Sequence, residues 1–259
     1  MICMITCGID VGSSTVETVI LDWGDLRVLA FDIASTGNSP AKSAEESFER
    51  ALFSSGKSRS CVERVVSTGY GRGAVAFAHS SITEITCQAR GVRHLFPEAR
   101  TIFDIGGEDC KIIKLDPSGA VADFVMNDRC AAGTGRFLEV ISGALGLGVS
   151  EAGRISLKSR NPESLSATCV VFAESEVVSL LARGKIPEDV LAGIQRSVAL
   201  RLVGLAGKIE LVEPIVFTGG VAKNPGTVHY LARALGRALL VPEEPQITCA
   251  FGAALLASR

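Results

Sequence analysis

Residues 100–115 read Arg-Thr-Ile-Phe-Asp-Ile-Gly-Gly-Glu-Asp-Cys-Lys-Ile-Ile-Lys-Leu. Apolar and β-branched residues lead up to Asp104, Gly106-Gly107 break the run, and an apolar pattern resumes at Cys110–Leu115. That order is strand, glycine turn, strand. The same order appears near the N-terminus, where Met1–Val11 and Thr15–Asp22 flank Gly12-Ser13-Ser14. Asp10 ends its strand as Asp104 ends the other, so the two stretches read as an internal duplication. A third glycine turn, Thr218-Gly219-Gly220-Val221, follows a short strand at Ile215–Phe217. A glycine turn after a strand can bring backbone N–H groups close to phosphate oxygens. Ser13, Ser14 and Thr15 add hydroxyl donors, and Asp10 and Asp104 are hard oxygen ligands suited to Mg²⁺. Taken singly, each glycine needs do no more than shape a hairpin.

Further strands are expected at Arg27–Ile33, Val62–Val66 and Ala120–Met126. Helices are expected at Ser43–Ser54, Ile82–Phe96, Arg136–Leu145, Ala173–Arg183, Glu188–Leu211, Pro225–Leu235 and Phe251–Ala257. The expectation is an α/β protein of two domains with mixed sheets and a cleft between them. Their bounds are set at residues 1–96 and 97–259, the last helix packing back on the first domain. Thr68–Gly73 is either an inter-domain loop or a simple turn. Neither a Walker A pattern nor a GxGxxG between strand and helix is present, which excludes P-loop and Rossmann readings.

The 259 residues are 47% apolar and 21% charged, with a formal net charge of −2 and no long block of one sign. Nucleic-acid binding leaves a basic footprint that is missing here, so no nucleic-acid partner is expected. The stretch Val198–Val212 comes nearest to the roughly 20 apolar residues that span a bilayer. Arg201, Lys208 and Glu210 interrupt it. The first residues lack a basic n-region, so the expected location is cytoplasmic, away from membranes. Eight cysteines in such a chain suggest reduced thiols, a metal or a redox centre. Six of them are expected only to pack. Cys3 and Cys7 would lie about 13 Å apart on one strand, too far to grip one ion jointly. His79, His94 and His229 stand alone, without ligand spacing.

The other two cysteines sit in distinctive surroundings. Asn127-Asp128-Arg129-Cys130-Ala131-Ala132-Gly133-Thr134-Gly135-Arg136-Phe137-Leu138-Glu139 places Cys130 at the mouth of a helix. Thr168-Cys169-Val170-Val171-Phe172-Ala173-Glu174-Ser175-Glu176 places Cys169 just before a second one. Helix N-termini favour thiolates and anionic groups through unpaired N–H groups and the macrodipole. By spacing alone, two separate cysteines still read as buried apolar residues.

In order and separation, the three glycine turns resemble the phosphate-1, phosphate-2 and adenosine motifs of the actin, sugar-kinase and heat-shock chaperone superfamily. That resemblance implies two RNase H-like domains closing over ATP. It assigns Gly12, Ser13, Ser14, Thr15, Gly106, Gly107, Gly219, Gly220, Val221 and Asn224 to the nucleotide, with Gly133 and Gly135 beside them. Asn127–Glu139 and Val171–Leu181 look like signatures of the ATP-dependent activators of 2-hydroxyacyl-CoA dehydratases. These are relatives of the ATPase subunits of benzoyl-CoA reductase. The likeness runs from Gly8 to Ala257 and includes Asp104–Lys111, Gly193–Leu205 and Thr218–Asn224.

This narrower resemblance implies a homodimer with one [4Fe–4S] cluster on its axis, held by Cys130 and Cys169 of each chain. Two thiolates per chain fall short of the usual four, and a twofold axis makes up the number. It further implies ATP/ADP and Mg²⁺ as ligands, ferredoxin or flavodoxin as electron donor, and a partner iron–sulfur enzyme acting on an acyl-CoA. Catalytic roles fall on Asp10, Asp104 and Glu108. Members of the family commonly carry Gln at the position of Glu108. A Gln orients the attacking water without charge, whereas a carboxylate acts as a base or repels the γ-phosphate. A tolerated near-isostere is the other reading. Three alternatives remain at this point: a permanent benzoyl-CoA reductase subunit or an activator of another low-potential reductase, a small-molecule kinase of the same fold, and a nucleotide-switched binding protein with structural zinc.

Overall fold

The computed structural model describes residues 4–127, 133–165 and 170–257. It divides into two compact units. The first comprises residues 1–100, 115–122 and 246–259, and the second residues 101–114 and 123–245.

In the first unit β1 (Ile5–Val11), β2 (Thr15–Asp22) and β3 (Arg27–Ser35) form an antiparallel meander. Then come α1 (Pro40–Ser55), β4 (Val62–Thr68), β5 (Ser80–Ser81) and α2 (Glu84–Leu95). The sheet order is β3-β2-β1-β4-β5, with β4 parallel to β1 and β5 parallel to β4. Alternation along β1 sends successive side chains to opposite faces, and both faces are covered. Ile5, Cys7, Ile9 and Val11 pack with Ala44, Phe48, Ala51 and Leu52 of α1. On the opposite face Thr6 donates to Ala254 O (2.9 Å), an oxygen of the last helix.

The second unit opens with β6 (Thr101–Ile105) and β7 (Cys110–Leu115), paired antiparallel, followed by β8 (Val121–Met126). Helices α3 (Gly135–Ala144), α4 (Val149–Ser156), α5 (Val170–Ala182) and α6 (Pro187–Ala206) come next. The chain returns to the sheet at β9 (Ile215–Thr218), then forms α7 (Pro225–Leu235) and β10 (Leu239–Leu240). The sheet order is β10-β9-β6-β7-β8, with β9 parallel to β6. Phe103, Ile105, Ile112, Ile215 and Phe217 bury one face of the sheet in a core shared with α3 and α6. Last comes α8 (Thr248–Leu256), which belongs to the first unit and packs with β2 through Val19, Leu21, Ala250, Phe251 and Leu255.

The expected strands and helices are present, and the differences have local causes. Helix α6 stops at Ala206 rather than Leu211. Gly204 and Gly207 weaken it, and the Lys208 and Ile209 N–H groups bond three residues back, to Leu205 O and Ala206 O. Helix α4 and the two-residue strands β5 and β10 were not expected, being too short for a periodic signal. Of the cysteines expected only to pack, Cys7, Cys87, Cys110 and Cys249 are buried, but Cys61 is exposed. Cys3 lies outside the described residues.

Candidate functional site

In the first unit the Gly12-Ser13-Ser14 turn closes through Gly12 N donating to Thr15 O (2.9 Å). Thr36 clamps it from the side: its Oγ1 donates to Gly12 O (2.8 Å) and its N–H to Ser14 O (2.9 Å). Thr68–Gly73, left open between loop and turn, lies against the same turn, with Gly71 N donating to Val11 O (2.8 Å). A cavity of about 380 Å³ opens there, lined in part by Gly12, Ser13, Thr36, Tyr70 and Gly71. Gly69 has φ +84°, and a Cβ there would fall 2.2 Å from Asp10 Oδ1, so the backbone lies directly on that carboxylate. From the start of the α8 segment, Gln246 Nε2 donates to Glu17 Oε1 (2.8 Å) and Thr15 Oγ1 (3.3 Å).

In the second unit the Gly106-Gly107 turn closes through Gly106 N donating to Asp109 O (2.9 Å). Its two carbonyls receive the start of α3: Gly135 N donates to Gly106 O (2.9 Å) and Arg136 N to Gly107 O (2.8 Å). Gly133, with φ +90°, turns the chain into that helix. A Cβ at Gly135 would lie 3.1 Å from Gly106 O and 3.4 Å from Val221 Cγ2. Gly219, at φ +83°, presses on β6, since a Cβ would meet Ile105 O at 2.3 Å. Gly106, Gly107, Gly135, Gly219 and Val221 therefore converge on one end of the sheet, beside Asp104. Gly220 and Glu108 are exposed there. Asn224 lies at the start of α7. Its Oδ1 accepts from Gly226 N (2.9 Å) and Thr227 N (3.1 Å), and its Nδ2 donates to Val149 O (3.3 Å), so the side chain caps α7.

The two units repeat one row of side chains. Across β2-β1-β4, Asp10 lies opposite Glu17 and Thr68. Across β7-β6-β9, Asp104 lies opposite Lys111 and Thr218. Each threonine is followed by a glycine of positive φ, Gly69 or Gly219. Thr218 Oγ1 donates to Asp104 Oδ1 (3.2 Å). Lys111, 5% exposed, holds its Nζ 2.7 Å from Asp109 Oδ2 and 3.9 Å from Asp104 Oδ2. Sequence reasoning missed Gln246, Glu17, Thr36 and the Thr68-Gly69 copy. Only the last left a signal, its match to Thr218-Gly219.

Cys130 and Cys169 lie outside the described residues. The described chain resumes two helices close behind them, α3 and α5, which pack against each other. Among the described residues no group of three or more His, Cys, Asp or Glu could hold a metal ion, and no helix is long and apolar enough to cross a membrane. Arg72 donates to Gly69 O (2.9 Å) and pairs with Glu84 (3.1 Å). Arg136 pairs with Glu139 on the surface of α3 (3.4 Å). The glycine turns suit a polyphosphate, because bare backbone rather than side chains forms their surface.

The chain is 45% identical to the 2-hydroxyisocaproyl-CoA dehydratase activator of Clostridioides difficile, over 98% of this chain and 95% of that one. It is 40% identical to the (R)-2-hydroxyglutaryl-CoA dehydratase activating ATPase of Acidaminococcus fermentans, over 97% and 96% of the two chains. A solved structure of the 2-hydroxyisocaproyl-CoA dehydratase activator from Clostridium difficile with bound ADPNP superposes with a TM-score of 0.93 at 44% identity. That match covers 98% of this chain and 94% of the other. Residues 7–257 match the BadF/BadG/BcrA/BcrD ATPase family, and the chain, an ATPase of actin-like fold, belongs to it.

Proposed function

We propose that the protein is a homodimeric ATPase that drives low-potential electrons into a partner iron–sulfur enzyme, a 2-hydroxyacyl-CoA dehydratase. Cys130 and Cys169 of each subunit hold one shared [4Fe–4S] cluster, and ferredoxin or flavodoxin supplies the electron. The cluster, when bound, stores that electron at low potential. ATP lies on the glycine turns, with Mg²⁺ beside Asp10 and Asp104. Glu108, exposed next to Gly106-Gly107, orients the attacking water.

One observation carries this reading. The phosphate-2 turn holds the start of α3 through the Gly135 N–H and Arg136 N–H bonds, and α3 is the helix behind Cys130. A turn that shifts when the γ-phosphate leaves therefore pulls on the helix that frames a cluster ligand. Coupling needs only that the two nucleotide states place α3 differently. The relatives' names support the choice of a dehydratase as partner.

The test is anaerobic purification with iron and sulfide analysis and an absorption spectrum, alongside Cys130→Ser and Cys169→Ser. About four irons per dimer, lost in both variants, is the expected result. A colourless, iron-free protein that hydrolyses ATP at full rate and gains nothing from anaerobic reconstitution would sink the electron-transfer reading.

A further inference from the structure

The repeated row differs between the units at one place. Glu17 stands opposite Asp10, whereas Lys111 stands opposite Asp104. Strand pairing alone does not call for a lysine at that point, since the first unit builds the same row with a carboxylate. Lys111 is nevertheless buried, and a lysine is buried only where its ammonium is paired. Its partners are the two carboxylates that flank the Gly106-Gly107 turn: Asp109 at 2.7 Å and Asp104 at 3.9 Å. Asp109 leans back over the turn, for a Cβ on Gly106 would fall 2.7 Å from Asp109 Oδ1. Without the lysine, the turn would offer the Asp109 carboxylate without its ion-pair partner where the proposed ligand brings a polyphosphate.

We infer that Lys111 is a positioning residue of the phosphate-2 turn. It draws Asp109 inward and cancels its charge, so that backbone N–H groups and not this carboxylate confront the phosphates, while Asp104, 3.9 Å from the ammonium, stays available to the proposed Mg²⁺. Its ammonium thus acts through Asp109 and does not itself serve as a phosphate ligand. This inference rests on the nucleotide reading of the turns given above. The hydroxyl of Thr218 secures the other oxygen of Asp104, which ties the adenosine-side strand β9 into the same network.

The deciding measurement is equilibrium binding of ADP and a non-hydrolysable ATP analogue, by calorimetry on the full chain purified anaerobically. The variants are Lys111→Met, Lys111→Arg, Asp109→Asn and the double variant Lys111→Met with Asp109→Asn. Lys111→Met should weaken the ATP analogue about tenfold, and ADP less, because the uncancelled Asp109 carboxylate repels the more highly charged ligand more strongly. Lys111→Arg should bind close to the wild type. The double variant should regain most of the loss, since removing Asp109 removes the charge that Lys111 no longer cancels. A lysine that touches phosphate directly would give no such recovery, and that result overturns the inference. Equal binding by Lys111→Met and wild type also overturns it. Should Lys111→Met fail to fold, Asp109→Asn alone decides: tighter binding of the ATP analogue supports the inference, and unchanged or weaker binding refutes it. A wild-type chain that binds no nucleotide would remove the nucleotide reading itself, a failure distinct from these.

Discussion

Cys61 is exposed, while Cys7, Cys87, Cys110 and Cys249 are buried. The side chain of Ser58 lies 3.2 Å from the Cys61 sulfur, and hydrogen bonding there lowers the thiol's pKa below its ordinary value. Burial pushes Cys87 and Cys110 the other way, up to about 12, and Cys7 higher still. Because the thiolate is the nucleophile, Cys61 should react at a pH where these buried thiols are still protonated. Alkylation with peptide mapping checks this, and Ser58→Ala should move the Cys61 rate profile to higher pH. Equal labelling of Cys61, Cys87 and Cys110 at neutral pH would contradict it. At Gly219 the constraint is steric. Positive φ and the approach to Ile105 O leave no room for a methyl group, so Gly219→Ala should cost at least about 2 kcal/mol in urea unfolding. Glu108 is exposed and caps no helix among the described residues, so Glu108→Ala should leave the urea midpoint unchanged. If it orients water, the same change should lower ATP turnover by about 10²-fold or more.

Helix α7 illustrates how a residue of one motif serves an element. Asn224 caps it, Pro225 stands at its first position, and Gly236 ends it in the left-handed region. Asn224→Ala removes the cap and leaves Gly226 N, Thr227 N and Val149 O without this partner, in a buried place. A loss of about 2 kcal/mol in urea unfolding is expected, and a loss below 0.5 kcal/mol would contradict the capping role. Strands and long helices were legible because alternation and 3.6-residue periodicity write themselves into residues such as Ile5–Val11 and Glu84–Leu95. The turn at Gly106-Gly107 was legible as a glycine break between two apolar runs. Its contact with α3 was not, since Gly135 N and Gly106 O meet only through tertiary folding. Gln246 escaped for the same reason: its partners Glu17 and Thr15 are far away in the chain. Thr68-Gly69 was hidden in a glycine-rich stretch that also reads as an ordinary loop.

On the scale of the whole chain, one sheet plan is used twice. Read outward from the meander, β3-β2-β1-β4-β5 and β8-β7-β6-β9-β10 have the same order and, where pairings align, the same directions. The units close differently, however. Helix α8 completes the first unit, and its fit with β1 and α2 is backbone-tight: a Cβ at Gly8 would lie 1.9 Å from Ala250 O, and one at Gly252 would lie 1.8 Å from Cys87 O. A version truncated after residue 245 should therefore lose the fold of the first unit, seen as rapid proteolysis within residues 4–100. Survival of that region as a resistant fragment would show that α8 is dispensable. Synthesis runs from the N-terminus, so the ribosome makes β1 to β5 early and α8 only after all of the second unit. The first half of the protein must therefore wait, its β1–β2 surface uncovered on one side, while the half made later can mature before it. Chaperones that shield nascent apolar sheet would be needed longest by the segment that emerges first.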